Sequence, residues 1–425
     1  MALGSEGDDG SGDIHGDQCM NEAAYSSDLE ENKEEWELRV CTVVGSSGAS
    51  DSIGALAFDP RDNQWLATGG IARKIRLYNF NSLIDLDEQE EDSMEIDGNG
   101  MEEKRRGSNG NDVLYVEKSS CIEAGVICTS AKLSSLKWDP ASGDQVIGSG
   151  DYDGVVTEWD VERGVAVFER DEHGGRRVWS VDYCHSNTSL CASASDDGTV
   201  QMWDKKTNDT VMVLSPPSKR PVCCAEFDAS NAILFAMACS DHRVYIYDIR
   251  KMSPPPLASS SSSTSALFEL HDHSRPASYV RFLGGNLVVS ASIDGSLKLW
   301  DISKSIEEGM VPVRTYRGHS NRRNFVGLSV WQEGGLLACG SESNEVFAYD
   351  SRWGSPIWHN KFDDTNLGRS SSSHSGESSE DFSRRRRGNL CFVSGVCWRQ
   401  KPWECTLVAA NSDGMLQVII GERTR

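Results

Sequence analysis

GVVTEWD at 154–160, GTVQMWD at 198–204, RVYIYD at 243–248, GSLKLWD at 295–301 and EVFAYD at 345–350 are versions of one phrase. KIRLYN at 74–79 and GMLQVII at 414–420 are weaker copies. Each alternates apolar and polar residues, as a strand with one buried face does. Most close on Trp or Tyr followed by Asp. Six residues before that aromatic stands an Asp in a turn: Asp153, Asp197, Asp241 and Asp294, with Asp413 at the same offset from Ile419. Repeated strands closed by Trp-Asp at a period of about 40–45 residues mark a β-propeller. Seven copies predict an all-β fold, a seven-bladed WD-repeat β-propeller.

Trp159, Trp203 and Tyr247 are 44 residues apart, which is one blade. The longer steps carry inserts: an acidic stretch near 85–112, a Pro/Ser-rich one near 254–265, and a Ser-rich then basic one near 363–388. These, and an acidic tail over 1–34, are too polar to bury a core and read as disordered. The last copy stops five residues before the end of the chain, which leaves no room for its outer strand. EWELRVCTVV at 35–44 has strand character, so the propeller is expected over 35–425, with the N-terminal strand completing the last blade. Closure removes exposed sheet edges.

Two blades carry a polar set whose Ser, Asp and Trp keep identical mutual offsets after a His: His173, Ser193, Asp197 and Trp203, and His273, Ser290, Asp294 and Trp300. A catalytic centre would appear once. Recurrence points to a buried hydrogen-bonded fastening, since buried polar groups are paired. No Walker A loop, HExxH or CxxC stands in the sequence, so neither enzyme, metal nor cofactor is indicated. The thirteen cysteines include no CxxC pair and no secretory leader precedes them, so reduced thiols are expected. No apolar run is long enough to span a membrane.

The net charge of −23 is unevenly placed. Residues 1–40 hold twelve acidic and two basic side chains, and 81–103 hold ten acidic and no basic ones. The propeller itself is therefore nearly neutral. At the start of five innermost strands a cation recurs: Lys132, Arg177 with Arg176, Arg220, Arg275 and Arg323. Aromatics are interleaved: Tyr152 in DYDG, Trp179 two residues after Arg177, and Phe325. A basic collar with an apolar floor suits an acidic peptide with a small hydrophobic centre. Nucleic acid fits poorly, because no extended Lys/Arg stripe exists and the acidic segments repel phosphate.

KLSSLKWDP (132–140), SGDYDGVVTEWDV (149–161), RRVWSVDY (176–183), SYVRFL (278–283), YRGHSNRRNFVGLSV (316–330) and LACGSESNEVFAYD (337–350) resemble the plant photomorphogenesis WD-repeat group. The group holds the constitutive photomorphogenic ubiquitin ligase, its suppressor-of-phytochrome partners and the short repressors of UV-B photomorphogenesis. With no RING motif or long heptads, the chain is similar to the repressors. The resemblance implies a groove for Val-Pro peptides with acidic flanks, at Lys132, Tyr152, Arg177, Trp179, Arg275 and Phe325. There Arg275 replaces a family Lys, and the peptide's Val and Pro are expected between Tyr152, Trp179 and Phe325. It also implies repression of UV-B signalling: binding the UV-B photoreceptor, promoting its redimerisation, and sharing a groove type with the photomorphogenic ligase. A second function class is a substrate receptor of a cullin–RING ligase for Val-Pro-containing transcription factors. The YDIR box, with Asp248 and Arg250, is its candidate adaptor-docking element, and YDSR at 349–352 is a second such box. KRR at 104–106 and RRRR at 384–387 suggest nuclear import, hence a nuclear and cytoplasmic location.

Overall fold

The computed structural model of the chain describes residues 36–45, 52–89, 102–106, 112–117, 123–251, 265–303, 310–362 and 391–424. Seven separate sheets form the seven blades of a β-propeller. The repeated phrases become each blade's third strand: Lys74–Asn79, Val156–Asp160, Val200–Asp204, Val244–Asp248, Ser296–Asp301, Glu345–Asp350 and Leu416–Arg423. The innermost strands are Ile53–Phe58, Leu133–Trp138, Val178–Tyr183, Val222–Phe227, Ala277–Gly284, Leu328–Trp331 and Val393–Trp398. The core lies between blades near the axis. In blade 4 the second strand, Leu234–Cys239, is buried throughout. The outer strand of blade 2, Val165–Arg170, is mostly exposed. Close stacking demands small residues: a Cβ at Gly148 of blade 2 would lie 2.1 Å from the Tyr183 hydroxyl of blade 3.

Blades are also pinned across the channel by polar side chains. A polar residue one or two positions before the closing aromatic of an innermost strand accepts a backbone N–H from the next blade. Asp182 takes Phe227 N at 2.7 Å, Glu226 takes Phe282 N at 2.8 Å, and Ser329 takes Trp398 N at 2.9 Å. Lys137 pairs with Asp182 at 2.9 Å, and Arg281 stands 3.7 Å from Glu226. Burial pushes the Glu226 carboxyl up, against the opposing pull of Arg281 and Lys137.

The seventh sheet runs Val393–Trp398, Cys405–Asn411, Leu416–Arg423 and then Trp36–Gly45, so N- and C-terminal strands share a blade. Two further strands extend it. Asp112–Glu117 pairs in parallel with Trp36–Gly45, and Glu102–Arg106 pairs antiparallel with Asp112–Glu117. Of the insert expected near 85–112, residues 90–101 and 107–111 lie outside the described residues, while 102–106 and 112 belong to these two strands. DVLYVE carries three β-formers, Val113, Tyr115 and Val116, and the edge of the N-terminal strand offers them a partner. The helix Phe80–Gln89 also enters that region, with Phe80 and Leu83 buried in the core between blades 7 and 1. The tail at 1–34 lies outside the described residues, as do the inserts near 254–265 (save Ser265) and 363–388. Contacts divide the chain into Glu37–Glu422, which carries the propeller, and a small second unit that includes Trp36 and Arg423.

The polar fastening forms fully in blade 5. His273 meets Asp294 at 3.0 Å and Ser290 at 2.7 Å, and Trp300 Nε1 donates to Ser290 Oγ at 2.8 Å. Burial would raise the Asp294 carboxyl, but hydrogen bonds from His273 and Ser296 outweigh it and hold it well below the usual range. In blade 3, His173 meets Asp197 at 2.8 Å and Ser193 at 2.7 Å. Trp203 does not join, contrary to its spacing: its Nε1 has no partner, and the Arg170 guanidinium sits 5.4 Å from its ring. Blade 6 has a remnant, in which His319 Nδ1 meets the Tyr349 hydroxyl at 2.9 Å and burial pushes the imidazole down to about 4.

Two outcomes follow. Ser290 serves two buried groups and Ser193 one. Ser290→Ala should therefore destabilise by about 1 kcal/mol more than Ser193→Ala in urea unfolding. Deleting residues 1–45 removes the buried Cys41, Val43 and Val44 from the last blade, and should lower the melting midpoint by roughly 10 °C. Deleting 1–30 should leave the midpoint unchanged. Equal midpoints for both truncations would refute closure by the N-terminal strand.

Candidate functional site

Innermost strands carry a one-residue irregularity near their start. The pairing skips one residue in six blades: Gly54, Ser134, Trp179, Cys223, Ser278 and Ser394. A bulge re-aims its residue, and five of the six, all but Ser278, line one cavity at the mouth of the channel. Five of these six residues are Gly, Ser or Cys and leave space. Trp179 alone is large, and it becomes the floor of a cavity of about 300 Å³. Tyr152, Arg177, Tyr279, Arg323 and Phe325 join it in the lining, with small residues from the other blades.

The site is tightly organised. The Arg177 guanidinium lies 4.2 Å from the Tyr152 ring and 4.4 Å from the Trp179 ring, a cation held between two aromatic faces. Trp179 Nε1 donates to Asp196 Oδ1 at 2.6 Å, which fixes the indole. Phe325 stacks on Trp179 with centroids 4.2 Å apart, and Tyr279 meets Phe325 edge-on at 5.7 Å. Arg177 Nε is buried without a hydrogen-bond partner, its Asp196 neighbour standing 4.0 Å away. A buried N–H left without a hydrogen bond costs stability, and the carboxylate of Asp196 offsets part of that cost. The backbone N–H groups of Arg323 and Asn324 both donate to Glu342, at 2.7 and 2.8 Å, which holds the loop that presents Phe325.

Of the six residues expected at the groove, the cavity brings together Tyr152, Arg177, Trp179 and Phe325. Lys132 and Arg275 are exposed at the ends of the neighbouring loops and do not line it. Their backbones belong to the rim: Lys132 O accepts Tyr152 N at 2.9 Å, and Arg275 O accepts the Ser292 hydroxyl at 3.0 Å. Of the three rings expected around the peptide's Val and Pro, Trp179 and Phe325 are in contact with each other, and Tyr152 stands 6.3 Å from Trp179. Sequence reasoning missed Tyr279, Cys223 and Asp196. The bulge was the signal for the first two, since both stand at or beside it.

At the opposite end of the blades, the YDIR box forms an internal pair. Arg250 Nε and Nη2 donate to the two Asp248 oxygens at 3.1 and 2.8 Å, with the Arg250 side chain 65% exposed. Arg352 makes the same fork to Asp350, at 3.0 and 2.7 Å.

The geometry defines a WD-repeat propeller with an aromatic and cationic channel mouth. The WD domain, G-beta repeat family model matches residues 164–204 and 265–301. The chain is 47% identical to the WD repeat-containing protein RUP2 of Arabidopsis thaliana, over 88% of this chain and 89% of that one. It is 44% identical to RUP1 of the same plant, over 92% and 86%. It therefore belongs to the family of the WD repeat-containing proteins RUP1 and RUP2. The E3 ubiquitin-protein ligase COP1 of Arabidopsis thaliana is a more distant relative, 32% identical over 88% of this chain and 45% of that protein.

Asp196→Ala tests the site's construction. Releasing the Trp179 indole should weaken binding of an acidic peptide with an apolar centre about fivefold, the equivalent of one hydrogen bond of about 1 kcal/mol. Calorimetry should show that loss with the melting midpoint unchanged.

Proposed function

We propose that this protein is a negative regulator of UV-B light signalling that binds the UV-B photoreceptor through an acidic Val-Pro segment and promotes its return to the inactive homodimer. The observation that carries the reading is Arg177 held between Tyr152 and Trp179 beside Phe325, on a chain so similar to RUP2. The aromatics supply an apolar seat for Val and Pro, and the surrounding cations meet the acidic flanks. Burying one valine-sized side chain contributes roughly 1.5–3 kcal/mol, against roughly 0–1 kcal/mol for each exposed ion pair. The apolar centre thus sets affinity, and the cations set orientation and association rate. The activity is binding, without covalent chemistry, and it acts in the nucleus and cytoplasm. The photomorphogenic ubiquitin ligase, whose propeller is related, competes for the same class of peptide.

A second reading, a cullin–RING substrate receptor for Val-Pro-containing transcription factors, has the exposed Asp248–Arg250 pair in its favour. Loss of co-purification with a ligase adaptor on Arg250→Ala would support it.

Reconstitution tests the main reading. Wild-type protein should accelerate redimerisation of UV-B-monomerised photoreceptor. Trp179→Ala should weaken the Val-Pro peptide roughly thirtyfold, about 2 kcal/mol, and accelerate poorly. Arg177→Ala should lose less affinity and mainly slow association at low salt. A folded Trp179→Ala that binds the peptide as wild type does would refute the groove assignment.

A further inference from the structure

The strand that completes blade 5, Arg314–Tyr316, is approached by Met310-Val311-Pro312-Val313. This is the one Val-Pro dipeptide in the sequence, and Glu307 and Glu308 precede it. The side chains divide in a telling way. Met310 is half-buried against the core shared by blades 4 and 5. Val311 is 72% exposed and Val313 45%, which makes Val311 the most exposed valine among the described residues. The backbone is held on one side only: Val313 N donates to Leu299 O at 2.7 Å. Pro312 has no N–H to give, and it biases Val311 toward an extended conformation. A valine that burial would stabilise thus stands in solvent, extended, beside a proline and after two carboxylates. That is the ligand chemistry which the channel mouth suits: an apolar centre for Trp179 and Tyr152, and acidic flanks for the cations.

The segment cannot fill its own groove. It follows the third strand of blade 5, and that connection lies at the end of the propeller opposite the bulged start of the innermost strands. In blade 5, Ala277 at the start pairs with Ser292, whereas Asp301 pairs with Leu287 at the other end. Ligand and groove are therefore on opposite faces of one molecule.

We infer that the Met310–Val313 segment of one copy docks in the Trp179 groove of a second copy, so that the protein associates head to tail. The inference rests on the groove reading above. The contact is heterologous: it joins two different surfaces and does not close on itself, so it gives short open series in place of a fixed dimer. It is small, one short segment in one cavity, so it is weak and populated at tens of micromolar or above. Its consequence is regulatory. Self-association occupies grooves in proportion to protein concentration, and a tighter peptide from another protein dissolves it.

Sedimentation velocity on the full chain tests this with Val311→Asp, Trp179→Ala and their mixture. Val311 is exposed, so Val311→Asp leaves the fold intact. The wild type should show a sedimentation coefficient that rises with concentration, and each variant alone should stay monomeric. The mixture should recover association, because Trp179→Ala offers the segment and Val311→Asp offers the groove, and it should stop at a one-to-one pair. Val311→Asp that associates as wild type does, or a mixture that stays monomeric, overturns the inference. A synthetic peptide of residues 305–315 separates its failure from that of the groove reading. If an acidic Val-Pro peptide from the photoreceptor binds the wild type and the 305–315 peptide does not, the self-docking falls and the groove stands. If neither binds, the groove reading falls with it. If the 305–315 peptide binds the related ligase's propeller but not this chain, a second copy is the wrong occupant and the inference is overturned.

Discussion

Each four-stranded blade has apolar surface that it cannot cover alone, and only a closed ring covers it in every blade. The other features follow from that demand. Blades must approach closely near the axis, so Gly148 faces Tyr183 where no Cβ fits. Polar groups of the innermost strands serve as pins as well: Asp182, Glu226 and Ser329 each capture an N–H of the next blade. The last blade has to be completed by whatever strand is at hand. The chain brings Trp36–Gly45 there, and the edge so created recruits Asp112–Glu117.

The same crowding makes the site. Where innermost strands converge, a bulge turns one residue of a blade toward the mouth, and small residues at most of those positions keep the mouth open. A single large residue at one of them, Trp179, becomes a floor on which other aromatic and cationic groups gather. Phe325 reaches it from blade 6, and Arg177 fills the gap to Tyr152. The site is thus an exception to the repeat on a scaffold that otherwise repeats. Six near-equivalent blades supply rigidity, and one substitution in the pattern supplies chemistry.

This division explains what the sequence made legible. The third strands announced the fold because they lie mid-blade, and their burial enforces the alternation and the closing aromatic. Outer strands such as Val165–Arg170 are mostly exposed and carry no such constraint. Trp179 and Tyr152 were readable because they break the pattern beside a recurring cation. Tyr279 was not: the bulge shifts the count, placing Trp179 four residues before its closing aromatic and Tyr279 three before Phe282. The missing Trp203 bond was invisible, since Ser193 and Ser290 have identical spacing and only the position of Arg170 tells the blades apart. The strand at 112–117 was masked by the acidic composition before it.

Any ligand of the channel mouth meets a Trp179 ring that already has partners. Trp179 already has Phe325 on one side and the Arg177 cation nearby, so a ligand must replace existing contacts. An offset stack or a cation–π pair is worth about 0.5–1.5 kcal/mol each, so the net gain on binding is the difference between old and new partners. A flexible aliphatic segment would lose most of that gain to ordering, at about 0.5–1.5 kcal/mol for each immobilised side chain. A proline-containing segment has its backbone preset and loses less. An apolar segment that arrives already ordered therefore keeps more of its gain in such a mouth than a flexible one of similar area.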